Sequence, residues 1–243
     1  MITQQTLQKL QKFDTPTICN LIELFDVRPR NTGYMDARIM AAFPDMPPIV
    51  GFAATATFRS DAAPRQVDAY GSIVQQVEQF ANLSGPPIVV FQDLDDPPAA
   101  AVFGEVMCTT YQAFGAVGLI TSGAGRDLDQ VRAIDFPVFT NGTICSHGYN
   151  HIPQVHVPVR VGGLVVFPDD LLHADRNGVT NIPPDIAAEV ADIGDEFIAA
   201  EAVVLEAMRR GTPTPALLTE ARAEMAARVR QLSQRVSRAG RKG

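Results

Sequence analysis

The stretch from Gly104 to Asp127, GEVMCTTYQAFGAVGLITSGAGRD, constrains this chain more than any other. Gly104 and Glu105 open a helix of about three turns, the usual length in globular proteins. Gly115 and Gly118 flank Ala116-Val117, where the helix stops and the chain reverses. Gly118-Leu119-Ile120-Thr121 is a short apolar run suited to a buried strand. Ser122-Gly123-Ala124-Gly125 reads as a turn. Arg126-Asp127 then emerges at the C-terminal end of that strand, where open sheets place their ligands.

The chemistry of this stretch is specific. Glu105 puts a carboxylate at a helix start, and Asp127 sits beside the Arg126 guanidinium on a glycine turn. If the helix packs back along the strand, the three side chains meet at one end. Two carboxylates with bound water suit a hard divalent cation such as Mg²⁺ or Mn²⁺. An adjacent Arg can grip a substrate carboxylate in bidentate fashion and neutralise an oxyanion. Free amides at Val106 and Met107 add anion donors. Together these groups suit enolate formation on a 2-oxo acid. A plain structural reading stands beside this one. An Arg-Asp pair after a turn also serves as a solvated turn or a helix cap, and a Glu at a helix start answers the macrodipole.

A chain of 243 residues with 46% hydrophobic content builds one large domain or a core with extensions, not a disordered chain. The formal net charge of −7 argues against nucleic acid as the main partner. Cys19, Cys108 and Cys145 have neither metal nor disulfide spacing, as expected in a reducing compartment. The start, Met1-Ile2-Thr3-Gln4-Gln5, has no basic region followed by an apolar one, so no signal peptide is expected. No apolar run reaches the length of a membrane span. A cytoplasmic protein without membrane attachment is the expectation.

Taken in order, Leu7, Leu10 and Phe13 fall at helical spacing. A second helix starts at Asp14-Thr15-Pro16, with Thr15 as cap and Pro16 first in the helix. Residues 28–48 read as a loop or short strand. A strand begins at Ile49 and runs through Phe58. A polar connector over 59–69 carries Arg59, Asp61, Arg65 and Asp68 and reads as solvated charge. Val74, Val77 and Phe80 mark a helix, and Ile88-Val89-Val90-Phe91 a buried strand. Asp93, Asp95 and Asp96 lack the glycine and distal Glu of a calcium loop, so a polar turn is the better reading.

Leu128, Val131 and Ile134 mark a short helix, and Phe136–Phe139 the next strand. His147 and His151 have the i, i+4 spacing of helical zinc ligands. Gly148, Pro153 and the lack of a partnering Glu speak against that, and a substrate-specificity loop or a structural loop over 140–156 is preferred. Alternating Val155, Val157, Val159 and Val161 predict a half-buried strand, and Gly162-Gly163 a hairpin into Leu164–Phe167. Asp175 reads as structural. Ile186, Val190, Ile193, Phe197, Val204 and Met208 predict a long helix over 186–210. Residues 214–243 form a second amphipathic helix with a basic tail, Arg228, Arg230, Arg235, Arg238, Arg241 and Lys242. Packing within an oligomer is preferred over a membrane or RNA role for that tail.

The pattern Gly-Glu, helix, Gly-x-x-Gly, strand, Gly-x-x-Arg-Asp resembles the RraA-like family. The resemblance extends to Thr15–Asn20, Ile49–Ala56, Phe136–Phe139, Val157–Val159, Gly162–Val166 and Ala174–Pro183, in the family's order. The family includes metal-dependent 4-hydroxy-4-methyl-2-oxoglutarate/4-carboxy-4-hydroxy-2-oxoadipate aldolases and non-catalytic regulators of ribonuclease E. The resemblance implies an α/β fold, a swivelling β/β/α layered sandwich over residues 1–185, with a C-terminal helical extension over 186–243 at a subunit interface. It implies a homotrimer or homohexamer.

It further implies a class II aldolase or decarboxylase that yields pyruvate from a 2-oxo acid, with oxaloacetate decarboxylation as a side activity. Asp127 would ligate Mg²⁺ (or Mn²⁺). Glu105 would hold metal-bound water where the aldolases usually have Asp. Arg126 would grip the 2-oxo oxygen. Gly104, Val106 and Met107 would bind the substrate. Glu201 from a neighbouring subunit would position a water. The alternatives are a non-catalytic ribonuclease regulator, or a lyase of the same fold acting on another hydroxy or sugar acid. One departure stands out: Pro168-Asp169-Asp170 replaces the family's usual Pro-Gly-Asp.

Overall fold

Every one of the ten residues of Ile49–Phe58 is buried in the computed structural model, which describes residues 2–66 and 71–238. Burial on both faces explains why this strand reads as an unbroken apolar run. The chain begins with helices Gln4–Leu10 (α1) and Thr15–Glu23 (α2), then strands Met40–Ala41 (β1) and Ile49–Phe58 (β2). Helix Ile73–Glu78 (α3) leads to Pro87–Asp93 (β3) and Ala101–Phe103 (β4). Glu105–Ala113 (α4), Gly118–Thr121 (β5), Ala124–Gly125 (β6), Leu128–Ala133 (α5) and Val138–Thr140 (β7) follow. Strands Val159–Val161 (β8), Leu164–Val166 (β9), Leu171–Asp175 (β10) and Gly178–Asn181 (β11) precede the helices Ala187–Arg209 (α6) and Pro215–Val236 (α7).

The main sheet has the order β1-β7-β5-β3-β2-β10-β11. Its central strands β2, β3, β5 and β7 are parallel, whereas β1, β10 and β11 run antiparallel to their neighbours. Strand alternation sorts the core into layers. Val89, Phe91, Leu119 and Val138 pack with Cys108 and Tyr111 of α4 and Val131 of α5. Val50, Phe52 and Leu171 pack with α1, α2 and α6. The intervening residues Ile88, Val90, Ile120, Phe139 and Leu172 meet the β8–β9 hairpin through Val159, Val161 and Val166. Helices, large sheet and small β layer thus stack in the expected α/β order. Each fully buried aliphatic or aromatic side chain contributes about 1.5–3 kcal/mol to holding it.

The C-terminal helices pair antiparallel, with Arg235 bonded to Glu196 at 2.6 Å and Arg238 paired with Glu189. Phe197 of α6 and Leu232 and Val236 of α7 share the buried cluster of α1 and α2. Among the described residues, no helix is long and apolar enough to cross a membrane.

Three local expectations change. Asp14, not Thr15, caps α2: its carboxylate accepts the Thr17 N–H at 2.9 Å. Thr15 is drawn inward because its N–H donates to Asp175 and its hydroxyl meets His173 Nδ1 at 2.9 Å. Asp175 and His173 are therefore structural. The turn over 122–125 contains a strand, β6, because Ala124-Gly125 pairs with β4. The alternating valines form a strand only over Val159–Val161; Val155 makes a single bridge to Ala56, and His156 at φ 57° breaks the extended path. Asp169 adopts φ 69°, and Ser84 secures its carboxylate with N–H and hydroxyl bonds of 2.7 Å. Asp68 of the polar connector and Arg241 and Lys242 of the tail lie outside the described residues.

Candidate active site at the glycine turn

Two short strands position this site. β6 lies parallel to β4, and the Arg126 N–H donates to the Phe103 carbonyl at 3.0 Å. Backbone pairing thereby sets Arg126-Asp127 against Gly104, the N-cap of α4. Asp127 takes a left-handed backbone, φ 55° and ψ 39°, which Asp tolerates better than most residues. It precedes α5, yet its side chain does not cap that helix. Instead its Oδ2 accepts the Glu105 N–H, the first amide of α4, at 3.1 Å. The carboxylate thus sits at the positive end of α4. Arg126 Nε lies 3.7 Å from the same oxygen.

Gly104 makes this approach possible. A Cβ there would stand 2.5 Å from Asp127 Oδ2 and 3.2 Å from Arg126 Nε. The requirement is space rather than backbone freedom.

A cleft of about 190 Å³ collects Ala101–Gly104, Val106, Met107, Arg126, Asp127, His147 and Asn150. Gly104, Val106, Met107, Arg126 and Asp127 are therefore brought together as the sequence suggested. The Val106 and Met107 amides precede the first intrahelical donor, Cys108, which bonds the Gly104 carbonyl. They belong to the first turn, whose N–H groups lack helical acceptors. Glu105 contributes its amide to Asp127, but its side chain is exposed and is not among those lining the cleft, so it does not join Arg126 and Asp127 there as expected.

Glu201 stands apart. It lies on α6, which packs on α1 and α2, and it is absent from the lining of the Arg126 cleft. Partial burial, and then the nearby Asp14 charge, raise its carboxyl above the ordinary value. Its participation at Arg126 requires a second copy of the chain.

His147 and Asn150 line the same cleft as Arg126, which the sequence does not reveal. Their approach depends on long-range bonds from the 147–152 loop to the end of β2. Tyr149 N–H donates to the Ser60 carbonyl at 2.9 Å, and Arg59 and His151 exchange backbone bonds of 3.1 and 2.9 Å. His147 and His151 do not form a helical zinc pair. The segment is not helical, and each Nδ1 donates locally, to the Gly148 and Tyr149 carbonyls, at 2.8 Å. Among the described residues, no group of three His, Cys, Asp or Glu side chains is placed to hold a metal.

Of the acidic run expected to form a polar turn, Asp93 is the buried last residue of β3, and only Asp95 and Asp96 lie in the bend that follows. Asp95 Oδ2 accepts the Ser60 and Asp61 N–H groups at 2.7 and 3.1 Å, and Arg59 Nε lies 3.3 Å from its other oxygen. Asp93 is only 8% exposed and, among the described residues, its Oδ2 has no hydrogen-bond partner. Burial pushes its carboxyl up to about 6.

The family model described as Aldolase/RraA matches residues 15–180, and the chain belongs to the RraA-like family. A Halalkalibacterium halodurans protein named "Putative 4-hydroxy-4-methyl-2-oxoglutarate aldolase" is 32% identical over 101 residues, 41% of this chain and 48% of that protein. A Hahella chejuensis protein of the same name is 26% identical over 161 residues, 63% of this chain and 96% of that protein. The chain spans about half or less of the length of the first curated relatives it matches. Among solved structures, an uncharacterised Pseudomonas syringae protein superposes with a TM-score of 0.71 at 22% identity, covering 91% of this chain and 94% of that one. Streptomyces coelicolor RraAS2, titled a member of an RNase ES inhibitor family, gives 0.67 at 22% identity, covering 86% and 100%. These two likenesses show the fold.

Proposed function

We propose that this protein is a divalent-metal-dependent lyase that cleaves a 2-oxo acid through a pyruvate enolate, in the manner of a 4-hydroxy-4-methyl-2-oxoglutarate aldolase. One observation carries the reading: the Asp127 carboxylate is clasped to the first amide of α4 with Arg126 beside it. The names of the matched relatives support it.

The donor set fits Mg²⁺ (or Mn²⁺), which keeps several waters and needs only one or two carboxylates. Asp127 and Glu105 are the residues that would hold it. When bound, the ion supplies Lewis-acid polarisation of the substrate's 2-oxo group.

This chain's own residues do the rest. The Val106 and Met107 amides, at the positive helix end, receive the substrate carboxylate. The Arg126 guanidinium donates to the 2-oxo oxygen and stabilises the charge that develops there as the enolate forms. Glu201 of a second copy orients the water that takes the hydroxyl proton. The site would then be complete only in an oligomer, a trimer or hexamer.

The test is pyruvate release from oxaloacetate and 4-hydroxy-4-methyl-2-oxoglutarate, with Mg²⁺ or EDTA, for the wild type and Asp127→Ala. Metal-dependent release in the wild type and its loss in the variant are expected. No release from either substrate, together with no Mg²⁺ binding by calorimetry, sinks the reading and shifts the weight to a protein-binding regulator.

A further inference from the structure

The Arg126 cleft has a neighbour. A larger cavity of about 390 Å³ adjoins it, and Met107 and Asn150 line both. The wall of this second chamber is largely apolar: Phe58 at the end of β2, Pro64, Ile73 on α3, Met107 and Ile152. Its volume is in the range of small-molecule sites. Its position is fixed from two sides. The Arg59–His151 and Gly71–Ile152 bridges fasten the 150–152 segment to flanking backbone, and Ile73 and Met107 pack against the buried cluster of Phe58 and Tyr111.

Charge is distributed unevenly between the two cavities. Among the described residues lining them, Arg126 is the one Arg or Lys. A substrate with a single carboxylate and one 2-oxo group uses Arg126 and the α4 amides fully. A second carboxylate, carried beyond the cleaved carbon, would meet no arginine or lysine in the second cavity, only Ser72, Asn150 and His151 on an otherwise apolar wall.

We infer that the chamber receives an apolar tail, so that the substrate is a 4-hydroxy-2-oxo acid bearing an aryl or branched alkyl group on C4 rather than a second carboxylate. This rests on the lyase reading above. In the reaction the C4 hydroxyl proton leaves to base and the C3–C4 bond breaks. Its electron pair moves onto C3 and the 2-oxo oxygen as the enolate. C4 departs as an apolar aldehyde or ketone, and C3 takes up a proton to give pyruvate. Atoms and electrons balance without a further reactant.

Binding separates this inference from the chemistry on which it rests. Calorimetry in Mg²⁺ would compare 2-oxo-4-phenylbutanoate with 2-oxoglutarate, neither of which has a hydroxyl to expel. The phenyl compound is expected to bind at least tenfold more tightly, a difference of about 1.4 kcal/mol. Ile73→Trp, which fills the chamber, should abolish that preference. Ile73→Arg, which supplies a cation, should reverse it. Ile73 is only half-buried, and thermal unfolding of both variants checks that they fold. Equal binding of the two acids, a preference for 2-oxoglutarate, or a preference unmoved by Ile73→Trp in a folded variant overturns the inference, even if oxaloacetate still yields pyruvate. A phenyl preference lost in Ile73→Trp, with no pyruvate from 4-hydroxy-4-phenyl-2-oxobutanoate or oxaloacetate, supports the chamber and overturns the lyase reading instead.

Discussion

Replacing Gly104 by alanine tests the geometry on which the site depends. The new methyl carbon would start 2.5 Å from Asp127 Oδ2, whereas ordinary contact begins near 3.4 Å, so the carboxylate must retreat by about 0.9 Å. Asp127 cannot follow by a simple backbone adjustment, because β4–β6 pairing and its left-handed conformation hold the main chain. The retreat breaks the 3.1 Å bond from the Glu105 N–H. A hydrogen bond to a charged group contributes about 1.5–3 kcal/mol, less here because the side chain is 37% exposed and water competes. A loss of about 1 kcal/mol lowers the melting temperature by roughly 2–4 °C in a protein of this size. Activity should fall much further, since a misplacement of about 1 Å can cost on the order of 100-fold. Scanning calorimetry and pyruvate release from oxaloacetate read the two effects. A Gly104→Ala protein with kcat/KM within twofold of wild type would refute the argument that Asp127 must occupy this position.

Two further outcomes concern buried titrating groups, with opposite signs. Asp93 carries a carboxyl raised to about 6 from 3.8, so the folded state holds its proton while the unfolded state has lost it. Stability is therefore present below the unfolded value and lost as pH rises between these values; urea titrations should show Asp93→Asn gaining about 1–3 kcal/mol over wild type at pH 8 and little at pH 4. Burial lowers the pKa of His173, so its neutral form is favoured in the fold. That contribution is complete above the ordinary histidine value of 6.5 and is lost as pH falls below it; His173→Gln should flatten the decline in melting temperature between pH 6.5 and pH 5.

Much of the scaffold is legible because local pattern and burial agree. The apolar run Ile49–Phe58 is the strand itself, and Gly104 and Gly115 bracket α4. Arg126 and Asp127 were found because they are neighbours in the chain. What remained hidden is decided between distant segments. Asp14 and Thr15 are both good caps, and only the burial of His173 and Asp175 determines which one turns inward. Ala124-Gly125 has no strand propensity, yet it pairs because β4 lies beside it. His147 and Asn150 reach Arg126 only because their loop is bonded to residues nearly 90 positions earlier.

That bonding has a corollary. The Tyr149–Ser60 and Arg59–His151 links use main-chain atoms on both sides, so the identities of His147 and Asn150 are not what holds the loop in place. The loop and the Arg126-Asp127 turn are therefore anchored separately, the loop by main-chain bonds to residues 59–60 and the turn by the β4–β6 ribbon, so side-chain changes in the loop need not disturb the turn.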